Sequence, residues 1–174
     1  MDIFIAPVVF SNRELFDTLI KNLESVFHKP IKQLTLDIDI HKLYSVDRRQ
    51  YYSTGFLEQA IEQTSYINGK VLMITDLDIY VPVLTFLFGE AQLDGKHSVV
   101  SVCRLHEEFY SGTSDFNLLF ERTVKEVLHE IGHNFGLIHC LDWDCVMHSS
   151  NSVEEVDIKG SEYCKKCRSI LLPK

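Results

Sequence analysis

The chain is short of long apolar runs and of positive charge, and the two shortages exclude whole classes of protein. No apolar stretch approaches the roughly 18 residues that a bilayer-crossing helix needs. The N-terminal MDIFIAPVVFSNRELF has an acid at Asp2, no basic lead-in and only a brief apolar run, so it reads as a first strand and not as a secretory signal. The expectation is a cytoplasmic protein with no membrane partner. Lys and Arg number 17 against 25 Asp and Glu, a formal net charge of -8. The small basic cluster Lys165, Lys166 and Arg168 does not reverse that balance, so no nucleic-acid partner is expected. Internal repeats, low-complexity tracts and long linkers are missing too. No long leader precedes the domain, which implies that any proteolytic activity is restrained by something other than zymogen cleavage. What remains is 174 residues with 45% hydrophobic content, enough for one core and one domain, expected to be monomeric.

Apolar or alternating stretches at 3–10, 34–43, 71–79, 85–88 and 98–105 are predicted as strands, with Leu34-Thr35-Leu36-Asp37-Ile38-Asp39-Ile40 the clearest period-two segment. Ser11 with Glu14 has capping-box spacing ahead of a helix whose apolar stripe is Leu15, Leu19 and Leu23 with Phe16, Ile20 and Phe27. A second helix is expected over 53–65. A third begins near Asn117 or Thr123, turns Phe120, Val124, Val127, Leu128 and Ile131 inward and ends at Gly136. The alternation of strand and helix implies an α/β fold, a mixed and mostly parallel sheet with flanking helices and one antiparallel edge. Residues 105–116 read as a loop near the cleft.

The most informative stretch is His-Glu-Ile-Gly-His-Asn-Phe-Gly-Leu-Ile-His over 129–139, the pattern HExxHxxGxxH. His129 and His133 lie one helical turn apart and can aim at one ion. Glu130 shares the turn, where a carboxylate can deprotonate a zinc-bound water without being a ligand. His139 would point away if the helix continued, so the chain has to turn. Gly136 falls where a helix-closing residue adopts positive φ. Three neutral imidazoles leave a fourth tetrahedral position open, as catalytic zinc requires.

Four of the five cysteines follow: Cys140 and Cys145, then Cys164 and Cys167. This CxxxxC and CxxC spacing suits a four-thiolate structural zinc. The competing disulfide reading needs an oxidising compartment, for which the sequence shows no export signal. Cys140 directly follows His139, so the structural site begins where the catalytic one ends, and losing the sulfur-bound metal is expected to weaken the histidine site. Cys103 reads as a small buried hydrophobe, Asp76 and Asp78 as structural acids, and Trp143 as packing over the cysteine knuckle. His28, His41, His97, His106 and His148 lack ligand spacing and read as surface or partly buried.

The run HExxHxxGxxHCxxxxCxM with a downstream CxxC resembles the archaemetzincins, within the metzincin clan of zinc peptidases, at His129, Glu130, His133, Gly136, His139, Cys140, Cys145, Met147, Cys164 and Cys167. Weaker likenesses at 75–78, 88–91 and 104–105 extend it over most of the chain. The resemblance implies a zincin fold over residues 1–139 containing the active-site helix, and a Met-turn and four-cysteine part over 140–174. It also implies two zinc ions, one catalytic and one structural, with Met147 beneath the histidines as support. The cleft-lining edge strand would fall at 85–88 or in the run into Ala91. Some metzincins carry a zinc-assisting tyrosine soon after the Met-turn; His148-Ser149-Ser150-Asn151 stands there instead, leaving Tyr110 as a candidate from the 105–116 loop.

The expected activity is zinc-dependent hydrolysis of peptide bonds in a peptide or protein substrate, with Glu130 as general base. Two other functions use the same residues, a zinc-stabilised protein-binding module without catalysis and a zinc amidohydrolase acting on a small molecule.

Overall fold

In a computed structural model describing residues 1–171, five strands form one sheet in the order β2-β1-β5-β8-β7. They are β1 (Asp2–Pro7), β2 (Ile31–Gln33), β5 (Gly69–Thr75), β7 (Gly89–Ala91) and β8 (His97–Ser101). The first four in spatial order run parallel, and β7 closes one edge antiparallel to β8. Every residue of β5 is buried, as a central parallel strand covered on both faces must be. Side-chain alternation then divides the core. Ile3, Ile5, Leu72, Ile74 and Val100 face α1 (Arg13–Phe27) and α4 (Phe116–Asn134), whereas Ala6, Met73 and Val99 face α2 (Ser53–Gln63). A smaller sheet of β3 (Tyr44–Ser45), β4 (Gln50–Tyr52) and β6 (Ile79–Tyr80) packs beside α2. The chain is completed by α3 (Glu108–Ser111), α5 (Val153–Ile158) and α6 (Lys165–Leu171). Among the described residues no helix is long and apolar enough to cross a membrane.

Several sequence expectations need correction. The alternating segment 34–40 is not a strand. Its apolar residues Leu34, Leu36, Ile38 and Ile40 do point into the α2-side core, but two side-chain amides on α2 satisfy its backbone. Gln63 accepts from the Asp37 N–H at 2.9 Å and donates to the Asp37 carbonyl at 2.8 Å; Gln59 does the same for Asp39 at 2.7 and 3.3 Å. Glutamines one helical turn apart thus stand in for a neighbouring strand. The 71–79 run breaks at Asp76-Leu77-Asp78, and 98–105 ends as a strand at Ser101 before a tight turn, Cys103–Leu105, that holds the half-buried Cys103. Residues 85–88 lead into β7 without belonging to it.

Two helix starts also differ. Asn12, not Ser11, caps α1 by accepting from the Leu15 N–H, while Ser11 donates its backbone N–H and its hydroxyl to Asp76. Asp115 caps α4 by accepting from the Leu118 N–H, so that helix starts slightly earlier than expected. His97 is fully inside, hydrogen-bonded to Thr64 and Gln92. Asp78 holds Arg104 through two bonds of 2.8 and 2.7 Å, the structural role its position suggests.

Candidate active site

Helix α4 carries His129, Glu130 and His133 on its buried face and ends at Asn134, after which Gly136 at φ +87° turns the chain and returns His139. Ligand-capable nitrogens of the three histidines all lie within 4.8 Å of one another. His129 Nδ1 is 2.9 Å from the Val146 carbonyl and His133 Nδ1 is 2.7 Å from that of Leu137. A carbonyl only accepts, so both Nδ1 atoms carry protons and both Nε2 atoms present lone pairs. Those Nε2 atoms face each other at 3.0 Å. Two opposed lone pairs at that distance repel unless a cation lies between them, so the donor set fits a metal ion. Burial pulls the proton affinities of His129, His133 and His139 down, His129 the furthest, which favours the neutral, ligating form.

The floor of this site is Met147. It is buried, and its sulfur occupies the space that a side chain on Gly132 would need. Gly132, the fourth residue of HEIGH, therefore lets the methionine turn reach the helix backbone. That turn is pinned by Cys140 N–H donating to the Met147 carbonyl at 2.9 Å and Val146 N–H to that of Glu162 at 2.8 Å. Beside it Tyr163, which also packs against Gly132, donates to the Leu128 carbonyl at 2.6 Å.

Glu130 lies buried against the edge strand, where a Cβ on Gly89 would come within 2.6 Å of its Oε1. Burial, reinforced by Glu126 and Glu90, holds its carboxyl well above the usual carboxylate range, while Lys159 acts the other way. Lys159 is itself fully buried, 2.7 Å from Glu126 and 3.4 Å from the His148 carbonyl that accepts from it. Arg122, also buried, grips Asp157 through two bonds of 2.7 Å and so fixes α5, which leads into Lys159. A cleft of about 480 Å³ opens over these groups, walled by residues 84–91 on one side and 149–151 on the other.

Cys140, Cys145, Cys164 and Cys167 form a second cluster whose sulfurs lie within 4.8 Å of one another, with none joined in a disulfide. Burial pushes the Cys145 and Cys167 thiols up, and the Cys167 N–H lowers that of Cys164. Four crowded thiol groups are a donor set for a tetrahedral thiophilic ion.

All the motif histidines, Glu130, Gly136, Met147 and the four cysteines thus come together as two adjoining clusters. Trp143 stacks on His148, ring centroids 3.7 Å apart. Tyr110 turns its hydroxyl to the Arg104 carbonyl and is not among the residues lining the cleft. Sequence reasoning missed Gly89, Glu126, Gly132, Asn134 and Lys159. Asn134 is buried and bonds Ser98 and the carbonyls of Gln92 and His97, stitching the end of α4 to the hairpin that bears β7. Of these only Gly132 and Asn134 sit inside the motif, where a glycine and a buried amide at unspecified positions were the available signal.

Comparison with known proteins agrees with this geometry. The model of the family described as Peptidase family M54 matches residues 32–172. The chain is 41% identical over 167 residues to the archaemetzincin of Methanocaldococcus jannaschii, covering 96% of this chain and 90% of that protein. To that of Archaeoglobus fulgidus it is 39% identical over 171 residues, covering 97% and 98%. The crystal structure of the Archaeoglobus fulgidus protein, complexed with malonate, superposes with a TM-score of 0.83 at 38% identity, covering 98% of this chain and 99% of that one. A zinc-dependent peptidase from Methanocorpusculum labreanum gives 0.86 at 27% identity, covering 98% and 100%.

Proposed function

The chain belongs to peptidase family M54 and is a zinc metallopeptidase acting on peptides or proteins; on that premise we propose that His129, His133 and His139 hold the catalytic zinc, that Glu130 is the general base, and that the four cysteines hold a second, structural zinc. The observation that carries this reading is the pair of Nε2 lone pairs opposed at 3.0 Å, with both Nδ1 protons committed to carbonyls and Glu130 buried in the same cleft.

Zinc bound there supplies a Lewis acid that acidifies a water and polarises the scissile carbonyl. The chain's residues do the rest. Glu130, whose carboxyl is held above the usual carboxylate range by burial and by Glu126 and Glu90, takes a proton from water and passes it to the leaving amine. Val146 and Leu137 carbonyls hold the two imidazoles in the tautomer that leaves Nε2 free. Gly89, having no side chain, lets the edge strand approach Glu130 closely enough to bring an extended peptide to the base. The structural zinc would tie Cys140, next to His139, to Cys164 and Cys167 and so keep His139 in place.

The test compares native protein with Glu130→Gln for zinc per chain and for cleavage of a mixed peptide library. Two zinc ions per chain in both proteins, with turnover reduced at least about 100-fold in the variant, is the expected result. Unchanged cleavage by the variant would remove Glu130 from the mechanism, and one zinc in the native protein would remove the second site.

A further inference from the structure

Behind His139 lies a second concavity of about 480 Å³, between the 136–142 turn and α6. His139 lines both this groove and the catalytic cleft, so the two adjoin at a residue of the histidine cluster. Three aliphatic side chains converge on the groove and are all largely in water: Leu141 at 95% exposure, Ile138 at 69% and Ile170 at 54%. A single exposed leucine is ordinary, but three on one concave surface form a patch that a monomer leaves open for a reason.

The patch is also rigidly presented. Leu141 sits in a loop whose ends are tied by Cys140 N–H to the Met147 carbonyl and Cys145 N–H to that of Asp142, and Gly160 N–H donates to the Trp143 carbonyl within it. A preformed apolar surface loses little entropy on binding.

We propose that this groove extends the substrate cleft, taking an apolar side chain of the polypeptide substrate at a position removed from the scissile bond. The occupant is the substrate itself, because groove and cleft share His139 as a wall, so that an extended chain leaving the cleft past His139 would reach Leu141 and Ile170. The site therefore selects long polypeptides with a hydrophobic residue at a fixed offset and favours them over short peptides confined to the cleft. The proposal rests on the peptidase reading of the cleft, and its test separates the two.

The probe is a fluorescein-labelled serine-glycine-alanine peptide longer than the cleft, with one leucine moved through every position. Its binding to zinc-loaded Glu130→Gln protein is followed by anisotropy and by the emission of Trp143, the one tryptophan of the chain. Leucine at one offset should tighten binding about tenfold over the all-polar peptide, the order expected for partial burial of one leucine. The paired substitutions Leu141→Ser and Ile170→Ser, both on exposed side chains, should abolish that gain. With Glu130 restored, they should leave cleavage of short peptides unchanged.

A leucine effect at no offset, or one that survives both substitutions, overturns the proposal. So does reversible self-association that the substitutions remove without any leucine effect, which would assign the face to a second copy of the chain. Cleavage that persists without leucine dependence sinks the groove alone. Leucine-dependent binding with no cleavage by native protein sinks the hydrolytic reading and leaves the groove standing.

Discussion

Met147 and Gly132 are in van der Waals competition for one volume: the thioether sulfur lies where the first carbon of any side chain at 132 would be. Gly132→Ala must displace the Met147 side chain from the helix that carries His129 and His133. The expected cost is about 2 kcal/mol, the scale of overpacking in a close-packed interior, together with weaker zinc retention. Adding Met147→Ala should recover part of the loss. Urea unfolding and zinc competition with a chelator, run on both single variants and the pair, check this; strictly additive effects would show that the two residues do not compete.

Gly89→Ala is the matching probe of the base. A methyl group there meets the Glu130 carboxylate, which must swing away from the strand. Turnover should fall about 10- to 100-fold, with zinc content unchanged because no histidine is touched. Equal activity in the variant would mean that Glu130 has room to spare.

The buried pair Lys159 and Glu126, 2.7 Å apart, should behave asymmetrically. Removing one partner, as in Lys159→Met, leaves an uncompensated carboxylate beside Glu130 and should cost about 3 to 5 kcal/mol. Replacing both, with Glu126→Leu added, should cost distinctly less. A double variant no more stable than either single one would show that the ion pair is not what the site needs.

His97 makes stability depend on pH. Burial lowers its pKa from 6.5 to about 4, with Lys96 adding to the effect. Between those values the unfolded chain holds a proton that the folded chain refuses. The stabilising contribution is complete above pH 6.5 and is lost as pH falls toward 4, by up to about 3 kcal/mol. His97→Gln should unfold in urea with a smaller drop between pH 7 and pH 5 than the native protein. Equal drops would place the acid sensitivity elsewhere.

Cys164→Ser with Cys167→Ser should lower zinc at the histidine site as well as at the sulfur site, because Cys140 anchors to Met147 and adjoins His139. Full zinc occupancy of the histidine site in that variant, read from zinc per chain, would show the sites to be independent.

Much of the site was legible because its chemistry is local. His129, Glu130 and His133 need only one turn of helix, and Gly136 announces the turn that brings His139 back. What could not be read depends on pairings across the fold. Lys159 meets Glu126 from 33 residues away, and nothing in either neighbourhood marks the match. Gly89 matters only because β7 happens to pass Glu130. The segment 34–40 shows the opposite failure: its period of two was read correctly as one buried face, yet that pattern cannot distinguish a neighbouring strand from the amides of Gln59 and Gln63.

The two ligand clusters meet at a single peptide bond, between His139 and Cys140. There is no linker to absorb a shift, so an insertion of even one residue there would rotate one cluster out of register with the other. Transplanting the sulfur knuckle into another zincin as a self-contained module would fail at that junction; the transferable unit begins at Gly136 and has to take its histidine with it.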